Sequence, residues 1–376
     1  MFSMSAGVRG YGDGYSYRLM TDSLIKDKDL KVDKKDIARW NDNKFDKTAI
    51  GAHVLFDKKG TPRYAKPILY PLISVLFYFF GIRGFSLLNG LFLGGSIVFC
   101  YLFIRHYLNK INSIIIAVLF FFCSYIPVYV SWIHPEMMLF FSCSLCMWLF
   151  FCKDKRLLAV LVVGIISSVK IVFLLLLVPF FAVMVSKKEY KQLSKSLVVI
   201  FLGIVFMLSL NFLLVGQISS YSGENRGFYV SKIDDNKSIE TTIYPMVLIN
   251  SQFEGFGFNS WKLFFKNLGN FFIGRFTGIV WYAFPAIVCI IVYLFSRRYL
   301  SKKERIQGDS ILITIFLLII ILIFSRPLNY FGGIGFICNR YFFMLPAFLF
   351  FPLYRRVKNL NLMVFSFLPG LFINFN

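Results

Sequence analysis

The sequence predicts an all-α fold, a polytopic transmembrane helical bundle with an external N-terminal loop region and a juxtamembrane helix. Composition is the first observation behind this. Of 376 residues, 57% are hydrophobic and 19% aromatic, with a mean hydropathy of +0.68; a soluble domain has roughly 45–50% apolar residues. Distribution is the second. The apolar residues fall in blocks of about 14 to 22, divided by short charged loops, and crossing a bilayer core takes roughly 17–25 apolar residues. The third is where the basic residues lie, which orients the helices.

Residues 1–66 come first, a hydrophilic stretch with 14 basic and 9 acidic residues and little apolar periodicity. Residues 67–82 are apolar but short and carry Pro67 and Pro71, which marks a juxtamembrane or re-entrant helix. Ten apolar blocks follow: 84–104, 111–130, 136–152, 157–169, 171–185, 197–215, 276–295, 310–325, 341–354 and 360–375.

The stretch 157–185 decides the topology, because only Lys170 interrupts it. As one helix it would be about 43 Å long. Its lysine would then lie in mid-bilayer at roughly 2.5–3.5 kcal/mol or more. As two short arms it places Lys170 at a turn near a surface. The two-arm reading gathers loops 105–110, 153–156, 186–196, 296–309 and 355–359 on one side, with 17 Lys and Arg, against two in loops 131–135 and 326–340. Positive charge favours the cytoplasmic side, so two arms are predicted. Residues 1–83, 131–135, Lys170, 216–275 and 326–340 then lie outside. The expected division is 1–83, external loop and juxtamembrane helix, and 84–376, the transmembrane domain with external loop 216–275. The expected location is the cell membrane, multi-pass, of a bacterial inner or plasma membrane type. Export of residues 1–66 with no apolar segment ahead of them predicts a spanning helix upstream of Met1; an in-frame stop codon close upstream would defeat that expectation.

The net charge of +22 does not point to nucleic acid. The basic residues sit at the ends of apolar blocks, as helix anchors, and form no single basic face. A partner with a phosphate and a greasy tail fits this chemistry better. Of seven cysteines, all but Cys338 lie in apolar segments, which excludes a disulfide framework. Cys143 and Cys146 read as small residues at a helix contact, and three scattered histidines give no metal cluster.

The polar groups left over lie outside. Glu136 is the single carboxylate between Asp57 and Asp154, and it follows His134 and Pro135 at the external end of a block. A carboxylate beside lipid is costly unless paired or used; it is either a helix N-terminal acid facing the macrodipole or an acid in an external cavity. Asp13 lies in Gly10-Tyr11-Gly12-Asp13-Gly14-Tyr15-Ser16-Tyr17, a tight turn whose tyrosines suit sugar faces. Lys170, Arg326 and Arg340 are external cations against the general bias: snorkelling anchors or phosphate ligands. The glycines of 329–335 permit a loop at which backbone N–H groups approach an anion.

The order of these features resembles the GT-C superfamily of polyprenyl-phosphate-sugar-dependent glycosyltransferases in its bacterial branches. The likeness rests on Gly12-Asp13-Gly14-Tyr15-Ser16-Tyr17 with Ser23-Leu24 and Lys28-Asp29-Leu30, on Tyr64-Ala65-Lys66-Pro67-Ile68-Leu69-Tyr70-Pro71, on Arg83 with Leu88-Asn89, on His134-Pro135-Glu136, and on Asn339-Arg340-Tyr341-Phe342 with Pro346. Lys170 matches the basic break of a middle hairpin. Many relatives have two adjacent acids in the first loop, where Gly14 follows Asp13 here.

The resemblance implies an inverting glycosyltransferase that moves a hexose or pentose from a polyprenyl-phosphate carrier to an extracytoplasmic glycan, lipid or protein acceptor. Asp13 is the expected base. Glu136 is expected to orient the acceptor, hold a second proton or help bind a metal. Lys170 and Arg340, with Arg326, are expected on the leaving phosphate, and Tyr15, Tyr17, Tyr64 and His134 on sugar or acceptor. No nucleotide or soluble cofactor is implied, and a divalent metal is left open. The competing reading is a transporter or flippase for a lipid-linked or anionic substrate. Against it stand the lack of an internal repeat and the polar groups gathered on one side rather than at the midplane.

Overall fold

The computed structural model describes residues 13–33, 35–36, 38–39, 53–56, 61–216, 218, 226–229, 243–245, 260–327, 339–350 and 367. Within them the chain is a helical bundle with one small sheet. Helix α1 (Asp13–Lys26) opens it, where a turn was expected. Its tyrosines, serines and glycine have modest helix propensity. Tertiary burial of Tyr17, Leu19 and Met20 supplies what propensity lacks. The juxtamembrane element is α2 (Leu69–Ser74), continued as a 3₁₀ turn through Val75–Phe80.

The bundle follows as α3 (Arg83–Ile104), α4 (Lys110–Phe122), α5 (Glu136–Phe151), α6 (Arg156–Ser167), α7 (Leu177–Ser186) and α8 (Tyr190–Val215). Then come α9 (Trp261–Ile273), α10 (Ile279–Tyr282), α11 (Phe284–Ser296), α12 (Lys302–Ser325) and α13 (Leu345–Leu349). Three helices, α3, α8 and α12, are long and apolar enough to cross a membrane, and shorter apolar helices stand beside them. Outward-facing side chains such as Phe201, Phe206 and Leu213 on α8, the last 78% exposed, form the kind of apolar surface that suits lipid rather than water.

The 157–185 stretch is broken, as its lysine requires. Helix α6 ends at Ser167, Lys170 is extended at φ −146° and ψ 114°, and Ile171–Leu176 winds as a 3₁₀ turn into α7. At the far ends of these arms Arg156 pairs with Asp154 at 2.7 Å and with Glu189, joining the two basic turns. Arg297 forks onto Asp309 at 2.7 and 2.8 Å near the same end. The 360–375 block lies outside the described residues except Phe367, as do 328–338 and Cys338. Cys143 and Cys146 are free and buried inside α5.

Helices α6 and α8 cross closely through two glycines. A Cβ on Gly164 would stand 2.9 Å from the carbonyl oxygen of Ile200, and Gly203 lies opposite. Small residues let membrane helices approach backbone to backbone. Gly164→Leu is expected to force α6 and α8 apart and to lower the melting temperature in detergent, at a cost of roughly 1–3 kcal/mol or more; an unchanged melt would show that the crossing carries no weight.

Two features appear in the external segments, which were expected as loops. Strands β1 (His53–Phe56), β2 (Pro62–Tyr64), β3 (Arg226–Tyr229) and β4 (Ile243–Pro245) form an antiparallel sheet in the order β2-β1-β3-β4. It joins the N-terminal segment to the 216–275 loop, with Val54 opposite Gly227. Helix α9 also lies within that loop, capped by the Ser260 hydroxyl accepting from the Leu263 N–H.

Candidate functional site

Separate stretches of chain converge at one end of the bundle. α1 brings Asp13 in its first turn, where the positive end of the helix dipole favours an acid. Gly14 lets it approach: a Cβ there would stand 3.1 Å from the carbonyl oxygen of Ile133. Asn89 of α3 holds the second stretch, donating to the carbonyls of Trp132 at 2.6 Å and Val130 at 3.4 Å and accepting from the Tyr70 hydroxyl at 3.2 Å. This clamps α2, α3 and the approach to α5 together. Pro135 then starts α5 with Glu136 in its first turn, only 3% exposed. The break after α6 supplies Lys170. Asn339, whose side chain accepts from the Tyr341 N–H at 3.1 Å, starts the turn that carries Arg340.

The side chains meet as a charged cluster. Asp13 contacts Lys66 at 2.9 Å and Arg340 at 3.4 Å. Glu136 contacts Lys170 at 3.2 Å, the Arg340 Nε at 3.6 Å and the His134 Nδ1 at 3.1 Å. Arg340 Nη1 stands 3.5 Å from the other ring nitrogen of His134. With the proton on Nδ1, the ring turns its N–H side toward Glu136 and its lone pair toward Arg340. Tyr341 adds a platform. Lys170, Arg326 and Arg340 lie 5.6, 5.2 and 5.4 Å from its ring centre, and Arg326 also donates to its hydroxyl at 2.8 Å. Aromatic faces attract cations, so one ring collects three that would otherwise repel.

Asp13, Glu136, His134, Lys170, Arg326 and Arg340 are therefore brought together. Tyr17 is buried edge-on to the His134 ring, centroids 5.7 Å apart. Tyr15 is half-buried on α1. Tyr64 is fully buried near Asp36, a residue of the N-terminal segment, and away from the cluster. Lys66 and Tyr341 belong to the cluster although sequence reasoning did not single them out. The signal for Lys66 was a lysine set directly before Pro67 at the head of an apolar block. For Tyr341 it was adjacency to Arg340.

The charges do not cancel. Among the described residues, Lys66, Lys170, Arg326 and Arg340 give four cations against the two carboxylates Asp13 and Glu136. Most of them are shielded from water, where charge interactions are strong. Among the described residues no three His, Cys, Asp or Glu side chains gather as a metal site.

No family model and no curated protein sequence matches the chain. Among solved structures, the crystal structure of ArnT from Cupriavidus metallidurans bound to undecaprenyl phosphate is similar, with a TM-score of 0.55 over 92% of this chain. Sequence identity is 10%, so the likeness is one of fold, and the chain spans 55% of that protein's length. The chain shares the helical fold of that protein.

Proposed function

We propose that the protein is an integral membrane glycosyltransferase that takes its sugar from a polyprenyl-phosphate carrier. The observation that carries the reading is the gathering of Lys66, Lys170, Arg326 and Arg340 around Asp13 and Glu136, in a bundle whose outer faces suit lipid. The fold likeness to a protein bound to undecaprenyl phosphate supports it.

The chemistry follows from charge. In a polyprenyl-phosphate sugar the phosphodiester carries one negative charge. When the bond from the anomeric carbon to the phosphate oxygen breaks, the polyprenyl phosphate leaves with a second. The acceptor oxygen forms the new bond from the opposite face, giving inversion, and its proton passes to a base. Groups that bind the second charge better than the first lower the barrier. Lys170, Arg326 and Arg340 are placed for that, with Lys66 as a fourth cation. Asp13 is the better base, since 19% of its side chain is exposed against 3% for Glu136. Glu136 holds Lys170, His134 and Arg340 in register, and Tyr15 remains the tyrosine best placed to meet sugar or acceptor.

In this reading the active site faces the extracytoplasmic side, opposite the basic turns at Arg156 and Arg297. The external segment 1–83 and the 216–275 loop serve the acceptor, whose identity as glycan, lipid or protein is open. Transfer is expected to persist in EDTA, because both carboxylates already face cations and the donor set carries net positive charge, which repels a divalent ion. Loss of activity in EDTA, restored by a metal, would refute this.

The deciding experiment uses the purified protein in vesicles with radiolabelled polyprenyl-phosphate sugar and a cell-envelope extract as acceptor. Release of polyprenyl phosphate with label moving to the acceptor is expected. Movement of intact donor between leaflets without transfer would instead show a flippase.

A further inference from the structure

Helix α1 has a second charged stripe, turned away from the cluster. Asp13 and Tyr17, four residues apart, face the cluster. Arg18, Asp22 and Lys26, again spaced by four, stack along another face. Opposite this stripe stand Tyr78, Phe79 and Phe85, and between the walls lies a cavity of about 300 Å³. That is the lower end of the volume range of small-ligand sites, roughly 300–1,000 Å³.

The two walls differ in chemistry. One presents two cations and one carboxylate, the other aromatic rings, with Ile82 at the edge. Asp22 is 5% exposed. Burial pushes its carboxyl above the usual range, against the pull of Arg18, Lys26 and the Tyr78 hydroxyl. One carboxylate faces two cations across this wall. Beside the cavity the 3₁₀ turn holds Leu76 and Phe79 outward, 68% and 76% exposed. In a membrane protein such side chains sit among acyl chains, and an amphipathic ring such as Tyr78 sits at headgroup level. The cavity thus lies where polar and apolar surroundings meet.

We propose that this cavity binds the phosphodiester headgroup of an anionic phospholipid from the surrounding bilayer. Arg18 and Lys26 take the phosphate, and Leu76, Phe79 and Ile82 take the start of the acyl chains. Asp22 gives the two cations fixed positions. The site is separate from the charged cluster, but α1 carries both. A lipid held there tethers the helix that bears Asp13, so membrane composition tunes the placement of that carboxylate.

The test needs no glycosyl-transfer assay, so it fails or succeeds independently of the proposed reaction. The full chain is reconstituted in nanodiscs with equal phosphatidylglycerol and phosphatidylcholine, and lipids retained after mild detergent extraction are measured by native mass spectrometry. Wild type is expected to retain phosphatidylglycerol over phosphatidylcholine by about tenfold, as two cations near a membrane surface favour the anionic headgroup. Arg18→Gln with Lys26→Gln is expected to bring the ratio near parity. Lys26→Gln alone, at an exposed position that folding tolerates, is expected to lower it at least about twofold. Lys262→Gln with Lys266→Gln on α9 should leave it unchanged. Parity in wild type, or a ratio untouched by Lys26→Gln, would overturn the proposal. So would displacement of the retained lipid by millimolar inorganic phosphate, which would mark a soluble-anion site.

Discussion

Replacing Asp13 with Asn is expected to abolish sugar transfer while the protein still folds and still binds the lipid-linked donor. The substitution keeps the size of the side chain and an oxygen that can accept from Lys66, now 2.9 Å away. It removes the charge that accepts the acceptor's proton. General-base contributions run to about 10²–10⁴-fold, so the rate should fall by roughly a thousandfold. Because Lys66, Arg340, Lys170 and Arg326 stay, donor affinity should hold or rise slightly as the site becomes more positive. The measurement is kcat beside an equilibrium binding constant for the donor, on protein shown to melt normally. Near-wild-type turnover in Asp13→Asn would remove Asp13 from the chemistry.

Arg340 carries the second large effect. It touches Asp13, Glu136, His134 and the Tyr341 ring at once and is almost fully buried. Arg340→Ala takes the shared cation from two carboxylates, a change that costs about 3 kcal/mol or more when a buried pair is broken. Glu136 keeps Lys170 and His134, and Asp13 keeps Lys66, so the chain should fold with a lowered melting temperature. The rate should fall by a further two to three orders of magnitude, about what the loss of one preorganised electrostatic donor costs. Arg340→Lys separates the two effects. It returns charge but not the fork that reaches Asp13 and Glu136 together, so stability should recover more than turnover. Equal recovery of both would show that Arg340 acts only as a counter-ion.

Much of the fold was legible because lipid imposes a simple rule. Long apolar runs must be helices, and the break at Lys170 followed from the cost of a lysine in mid-bilayer. The parts outside the membrane obey no such rule. α1 was invisible because its residues favour turns and its helix rests on burial of Tyr17 and Met20. The four-stranded sheet pairs segments some 170 residues apart, and short strands such as His53–Phe56 carry no periodic signal that reveals a partner. α9 had a readable mark in Ser260 before a run with Phe264, Leu268 and Phe271 on one face. At the site, the unusual residues were legible singly, since each was a charge where lipid or loop logic did not call for one. Their contacts were not, because Lys66, Glu136, Lys170 and Arg340 meet only through the packing of the bundle.

The pairing of β1 with β3 constrains how such a protein can change its acceptor. A loop free at both ends could be exchanged by cutting near residues 216 and 275. Here β3 hydrogen-bonds to β1, which bonds to β2, and Lys66 follows β2 by two residues. A transplanted loop with a different strand register would drag on the chain that presents Lys66 to Asp13. Exchange of the 216–275 loop must therefore carry residues 53–64 with it as one heritable unit.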